Sequence, residues 1–238
     1  MRFGGADLDI LTVNDKPGQY PASWYAATAS GPAPYAPAKG ALSCDVCVIG
    51  AGFTGLSAAL HLAGMGYDVV LLEAQRVGFG ASGRNGGQVG TGQRLEQGAL
   101  EKMLGAEHAR ELWDLSLGAV QLVRDLIADN KMDCGFSDGI IHADHRARLV
   151  SQSHRYAEHL QKSYGYQHIR ALARGEMREL VGSDAYFGGT LDSFAGHIQP
   201  LAFAFGLARL AEKRGVRIFE RSMVVELVKA DPAMVRTE

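Results

Sequence analysis

Three glycines and one acid carry the clearest chemical signal in this sequence. Gly50, Gly52 and Gly55 form a G-x-G-x-x-G pattern directly after the run 45–49 (DVCVI), and Glu73 follows 23 residues beyond Gly50. Each position has a physical task. Gly50 permits a tight turn, Gly52 lets the backbone approach a pyrophosphate with no Cβ between them, and Gly55 lets a helix pack closely on a strand. Phe53 and Thr54 fall in the first helical turn, whose unpaired N–H groups and positive dipole end favour phosphate. Glu73, followed by Ala74, closes the next strand, where a carboxylate can accept hydrogen bonds from a ribose diol and so select against a 2′-phosphate. This constellation implies a bound dinucleotide and by itself leaves FAD and NAD both open.

A second glycine-dense segment moves the choice to FAD. Residues 78–92 hold seven glycines (78, 80, 83, 86, 87, 90 and 92), with Ser82, Arg84, Asn85 and Gln88 among them. A nicotinamide cofactor needs no second close-approach loop directly after the ribose acid. A larger, flatter cofactor does, because further backbone N–H groups must reach its diphosphate and the rings beyond.

The elements that must position these residues are legible from periodicity. Residues 45–49 read as a strand. From Phe53, the residues Leu56, Ala59, Leu60 and Ala63 fall on one face of a helix that Gly64 and Gly66 end. Residues 67–72 are apolar except for Asp68, as in a parallel strand buried on both faces. Between Leu95 and Met132 the pattern is helical twice, broken near Gly105; the second helix shows Leu112, Leu115, Ala119, Leu122, Val123 and Leu126 as its buried stripe, with Trp113 and Leu117 off the centre. Short strands at 139–143, 168–171 and 186–191 then mix with helices at 146–164 and 175–181, an α+β pattern. Pro200 opens an amphipathic helix that Gly215 ends. Strands at 216–219 and 223–228, an Asp231-Pro232 turn and a return strand from Met234 follow. Residues 1–40 hold five of the seven prolines, which excludes a regular helix or central strand there. That leader should run extended, pinned to the body by Tyr20, Trp24, Tyr25 and Tyr35.

The remaining composition narrows the partners. At 238 residues, 47% hydrophobic, with a formal charge of −2 and no basic cluster, the chain can bury a real core and argues against nucleic acid or an anionic membrane surface as a dominant partner. No apolar run approaches the roughly 20 residues of a membrane span, and the start lacks a secretory pattern, so a cytoplasmic location is expected. Cys44 and Cys47 have C-x2-C spacing, but positions three apart in a strand point to opposite faces, and no second cysteine or histidine pair lies nearby, so no metal site is expected. Cys134 is alone. His61 is expected to be solvated, and His197 to be a hydrogen-bonded loop residue ahead of a helix rather than a base. For Arg84, steering an anionic substrate and neighbouring a phosphate or the surface both stay open.

The runs V-I-G-A-G-F-T-G-L-S-A-A (48–59) and L-E-A-Q-R-V-G-F-G-A-S-G-R-N-G-G-Q (72–88) resemble the D-amino-acid-oxidase-like FAD oxidoreductases, most closely the gamma-glutamylputrescine oxidase group. S-W-Y-A-A-T-A (23–29) and G-H-I-Q-P-L (196–201) are similar to that group as well, and the likeness runs from about residue 20 to 228. The resemblance implies an α/β chain: a Rossmann-like FAD-binding domain of the GR2 type with part of an α+β substrate domain. The expected division is a Pro-rich leader at 1–39, the FAD-binding domain at 40–131 and 195–238, and the start of the substrate domain at 132–194. By resemblance, Gly50, Gly52, Phe53, Thr54 and Gly55 face the pyrophosphate, and Glu73 with Ala74 the adenosine ribose. Ala81 and Ser82 add diphosphate contacts, Asn85, Gly86, Gly87 and Gln88 approach the isoalloxazine, and Val224 pairs its backbone with the adenine. The implied reaction is oxidation of a small-molecule amine, resembling gamma-glutamylputrescine, to an imine and then an aldehyde, with O2 or another acceptor reoxidising the flavin. A D-amino-acid, glycine or N-methyl-amino-acid oxidase or dehydrogenase is the alternative within the family. Because family members are longer, the chain is expected to be an N-terminal portion; a flavin-binding fragment without turnover is therefore a further alternative, and the catalytic residues stay unassigned.

Overall fold

The computed structural model describes residues 15–238. In the described part of the leader, a short helix, α1 (Trp24–Thr28), fits in the proline-free window between Pro21 and Pro32, with Ser23 Oγ accepting from the Ala26 N–H as its N-cap. The helix corrects the expectation of a wholly extended leader: prolines forbid helix only where they stand. Trp24 is 76% exposed and pins nothing. Tyr20 and Tyr35 do the pinning. The Tyr20 hydroxyl donates to Val77 O at 2.7 Å and its ring meets Phe205 edge-on, while the Tyr35 hydroxyl donates to Glu212.

The strand–helix–strand unit is β1 (Val46–Ile49), α2 (Phe53–Gly64) and β2 (Val69–Leu72). Leu56, Ala59 and Leu60 are the buried face of α2, and all four residues of β2 are buried, as their unbroken apolar character requires. A 3-10 turn (Ala81–Gly83) precedes β3 (Gln88–Val89), a two-residue strand with no periodic pattern of its own. Helices α3 (Gln97–Leu104) and α4 (Ala106–Asp129) break at Gly105, as expected. Then come β4 (Ser137–Ala143), α5 (Ala147–Tyr164), β5 (Ile169–Leu172), α6 (Arg174–Val181), β6 (Gly189–His197) and α7 (Pro200–Lys213). Strands β7 (Arg217–Phe219), β8 (Val224–Val228) and β9 (Met234–Thr237) complete the described elements.

These residues form two compact units. One is made by the residues before Gly86 together with Gln199–Glu238, the other by Gly86–Ile198. Helices α3 and α4 thus pack within the second unit, although the resemblance-based division carried the FAD-binding domain through residue 131. The first unit holds a parallel sheet ordered β1-β2-β7, with Val46, Cys47, Val48 and Ile49 opposite Val69, Val70, Leu71 and Leu72, and the separate β8–β9 ribbon. Helix α7 is apolar almost all round and is buried from Pro200 to Ala208, as a helix enclosed by its neighbours must be.

The second unit is an antiparallel sheet, β3-β6-β4 with β5 also on β6, covered by helices. Its core joins Trp113, Ala157, Leu160, Tyr166 and Ile169. The buried residues of α4 are Ala109, Trp113, Ser116 and Val120, while Leu115 is 67% and Leu122 42% exposed. The expected stripe is therefore wrong by about one position of rotation. The helix is apolar on more than one face, and the rings of Tyr164 and Tyr166, 5.5 and 5.1 Å from Trp113 and edge-on to it, select the tryptophan face. Strand β6 also runs on to His197, so this histidine ends a strand, paired with Gln88 and Ser137, rather than sitting in a loop.

Candidate cofactor site

The glycine turn follows from where β1 ends. Gly50 has φ +97°, a conformation that side chains disfavour, and its N–H still donates to Leu72 O at 2.7 Å, so the chain leaves the sheet abruptly at this residue. A Cβ on Gly50 would enter open space, with no atom within 4 Å. Five residues on, a Cβ on Gly55 would lie 1.9 Å from Gly50 O and 3.3 Å from Val48 Cγ1. Gly55 is the close contact between helix and strand.

Gly52 is the N-cap of α2 and, having no side chain, gives that helix end no cap of its own. A Cβ there would lie 3.0 Å from Ser82 Oγ. The Ser82 hydroxyl accepts the Phe53 N–H at 3.0 Å and still carries a proton that it can donate. Thr54 lies exposed in the same first turn, and Phe53 packs edge-on against Phe203 with centroids 5.4 Å apart. The helix end therefore presents main-chain donors, a hydroxyl and an open glycine surface, which is the donor set a diphosphate requires.

Glu73 is positioned from several sides. Its N–H donates to Phe219 O and its carbonyl accepts from Ser222, while the carboxylate accepts from Ala51 N at 2.7 Å and from Gln75 N at 2.8 Å. Each carboxylate oxygen keeps a further lone pair for a diol. Ala74 follows, half-buried. Sequence reasoning missed the group that anchors this corner, Glu220. It is 1% exposed, accepts from Val77 N (2.8 Å) and Tyr35 N (3.0 Å), and lies 2.7 Å from Arg76 Nε in an ion pair off the line of a hydrogen bond. An acid directly after an apolar strand was the available signal. Burial, partly offset by the Arg76 guanidinium over its ring, holds the Tyr20 phenol well above its usual range, so it stays a donor.

The second glycine segment begins in the same unit. Gly78 N donates to Ala51 O at 2.8 Å, which ties it to the first turn. Ala81 is exposed at the start of the 3-10 turn, and the Asn85 amide donates to both Ala81 O and Ser82 O at 3.0 Å, closing that turn. The Arg84 side chain donates to Phe79 O and to Asp15, with its guanidinium over the Phe79 ring, so its charge and one face are engaged within the protein. Val224 opens β8 opposite Thr237. Gly86, Gly87 and Gln88 belong to the second unit, where Gly87 O accepts from Ile198 N and Gln88 is an exposed residue of β3.

The model of the family described as "FAD dependent oxidoreductase" (DAO) matches residues 45–238. This chain belongs to that family. Its gamma-glutamylputrescine oxidoreductase from Escherichia coli (strain K12) is 38% identical over 92% of this chain and 51% of its own length. The Probable oxidoreductase OrdL of Rhizobium meliloti (strain 1021) is 38% identical over 90% of this chain and 50% of its own length. The chain thus spans about half the length of these curated relatives. Among solved structures, the L-amino acid deaminase of Proteus myxofaciens superposes with a TM-score of 0.70 over 89% of this chain and 46% of its own, at 22% identity. The glycine oxidase of Geobacillus kaustophilus gives 0.64 over 82% and 51%, at 21% identity. At that identity the likeness is one of fold. FAD is the cofactor of the family, and the glycine turn, the glycine-capped α2 terminus and Glu73 fit its dinucleotide part. Among the described residues no helix is long and apolar enough to cross a membrane, and Cys44, Cys47 and Cys134 are free thiols.

Proposed function

We propose that this chain supplies the FAD-holding part of an amine oxidoreductase acting on a gamma-glutamylputrescine-like substrate. The observation that carries the cofactor half is the first turn itself: a φ +97° glycine at a strand end, a helix N-terminus whose N-cap is glycine and an acid at the next strand end, the turn glycine and the acid 23 residues apart in sequence and the turn joined to the acid by the 2.7 Å bond from Ala51 N to Glu73. The similarity to gamma-glutamylputrescine oxidoreductase supports the substrate class. When bound, FAD accepts the hydride equivalent released as an amine C–N bond becomes an imine, which water then hydrolyses to an aldehyde.

The roles of the chain's own residues are to bind and orient. The N–H groups around Gly52, Phe53, Thr54 and Gly55 and the Ser82 hydroxyl take the diphosphate. Glu73 takes the ribose diol beside Ala74, Ala81 adds a backbone contact, and Val224 offers main-chain groups to the adenine. Asn85, Gly86, Gly87 and Gln88 serve the isoalloxazine. In this reading the first unit is the FAD-binding part and the second the substrate-side part, with a soluble, cytoplasmic setting.

The test is a visible spectrum of the purified protein with an FAD titration, followed by anaerobic bleaching with gamma-glutamylputrescine, D-amino acids, glycine and N-methyl amino acids. Flavin absorbance in the wild type and none in Gly52→Val is expected, since a valine side chain would fill the pyrophosphate approach. Normal FAD binding by Gly52→Val overturns the placement. The second reading, a flavin-binding portion without turnover, is favoured by the half-length match to the relatives. Bound flavin that none of these amines bleaches would decide for it.

A further inference from the structure

The turn at residues 75–77 joins the acid Glu73 to the second glycine segment, and each of its three residues meets a partner from the leader within the first unit. Gln75 Oε1 accepts the Gly18 N–H at 2.6 Å. The Arg76 guanidinium lies over the Tyr20 ring, 5.0 Å from its centroid, and Val77 O accepts the Tyr20 hydroxyl at 2.7 Å. Gly18 reaches Gln75 from a turn of its own, with φ +70° and with Gln19 N–H donating to Lys16 O. The Tyr20 ring is seated on the body by Phe205, which it meets edge-on with centroids 5.8 Å apart. It therefore bridges α7 and the turn.

The position of this turn decides how the Glu73 carboxylate is held. Gln75 N–H, at 2.8 Å, is one of the two main-chain donors on that carboxylate, Ala51 N–H at 2.7 Å being the other. The residue after the turn, Gly78, donates its N–H to Ala51 O. A shift of the turn thus moves a donor that orients the acid. From the opposite side, Glu220 takes the Val77 N–H and pairs with Arg76, and Arg221 N–H donates to Gln75 O at 3.1 Å. The leader supplies the remaining restraints, on the Gln75 side chain and the Val77 carbonyl. A carboxylate fixed before its ligand arrives loses less freedom on binding than one that must still be ordered.

We propose that Tyr20 is a positioning residue for the adenosine end of the cofactor: together with Gly18 it clamps the 75–77 turn, and through the Gln75 N–H it holds the Glu73 carboxylate ready for the ribose diol. Neither the hydroxyl nor the ring has to touch the cofactor. The coupling is reciprocal, so a nucleotide seated on Glu73 makes the leader harder to lift by the factor with which the clamp tightens binding. The effect on the cofactor rests on the proposed function. Other ties of the leader run elsewhere: Gln199, the N-cap of α7, donates to Thr28 Oγ1 at 3.2 Å, and Arg209 on α7 donates to Ser30 O at 3.1 Å. They provide the control.

The test titrates the full chain with FAD and with ADP, which carries the ribose and diphosphate without the flavin ring, and follows amide hydrogen exchange of the wild type with and without saturating ADP. The Gly18 amide is expected to exchange about fivefold more slowly with ADP bound. Tyr20→Phe keeps the ring beside Arg76 and removes one hydrogen bond, so it should weaken ADP and FAD alike by about fivefold. Thr28→Val, which cuts a leader tie away from the turn, should leave both affinities within about twofold of wild type. A clamp serving stability alone would lower the unfolding midpoint and leave Gly18 exchange indifferent to ADP. Two results overturn the role of Tyr20 alone: ADP bound with no change in Gly18 exchange, or Tyr20→Phe binding both nucleotides as tightly as wild type. A wild-type chain that binds neither nucleotide overturns the placement of the cofactor itself, and the coupling with it.

Discussion

The two glycine-rich segments look alike in composition and differ in what their glycines do. In the first turn the glycines build the turn itself: Gly50 supplies the φ of +97°, and Gly55 leaves room for the Gly50 carbonyl, which a Cβ would approach to 1.9 Å. In the second segment, Gly78 and Gly83 make room for helix α7. A Cβ on Gly78 would lie 2.8 Å from Ala204 Cβ, and one on Gly83 would lie 2.9 Å from Leu201 Cδ1 and 2.3 Å from Gly78 O. Gly80, between them, is exposed, has an ordinary φ of −76°, and would place a Cβ in open space. A dense run of glycine thus mixes residues that the packing needs with one, Gly80, that it does not.

The largest effect on this comparison should come from the acid at the root of the second segment. Glu220→Ala leaves Arg76 without its partner and two N–H groups without an acceptor, and should cost about 3–5 kcal/mol in urea unfolding. If it costs under about 1 kcal/mol, the segment is not held from below. Gly55→Ala should cost about 2–3 kcal/mol, since the methyl group meets backbone rather than a movable side chain, and FAD retention should fall with it. Gly80→Ala sharpens the contrast: its stability should stay within about 0.5 kcal/mol of wild type, so any weakening of FAD binding, measured by fluorescence titration, marks a ligand-facing site.

The smallest effect is a control in the second unit. Burial pushes the Glu101 carboxyl up, but hydrogen bonds from Tyr164 and His159 outweigh it and hold the group below its usual range. A depressed carboxylate stabilises the fold above its unfolded pKa and loses that contribution as pH falls through the folded value. Glu101→Gln should therefore lower stability by about 0.5–1 kcal/mol at neutral pH. The gap in thermal midpoint between the two proteins should close in acid below the ordinary glutamate range, while the two glycine segments respond at neither pH.

Much of this was legible along the chain because it rests on local spacing. The breaks at Gly64 and Gly105, the buried face of α2, the α7 start at Pro200 and the strands from β4 to β9 follow from periodicity and from residues that cannot continue an element. The errors share one cause. The buried face of α4 and the extension of β6 to His197 depended on partners far away in sequence, Tyr164 and Tyr166 on one side of Trp113 and Gln88 opposite His197, while α1, capped locally by Ser23, is tied from a distance by Gln199 donating to Tyr25 O. The similarity of the segments at 23–29 and 196–201 to one family acquires a physical reason in that bond of 2.7 Å between Gln199 and Tyr25.

By itself, the sequence determined the parallel strand–helix–strand unit, its glycine turn and its acid, because steric limits on backbone conformation and the periods of helix and strand act between near neighbours. Only the tertiary structure decided which glycines serve α7 and that Glu220 closes the corner. Those depend on which distant surfaces meet.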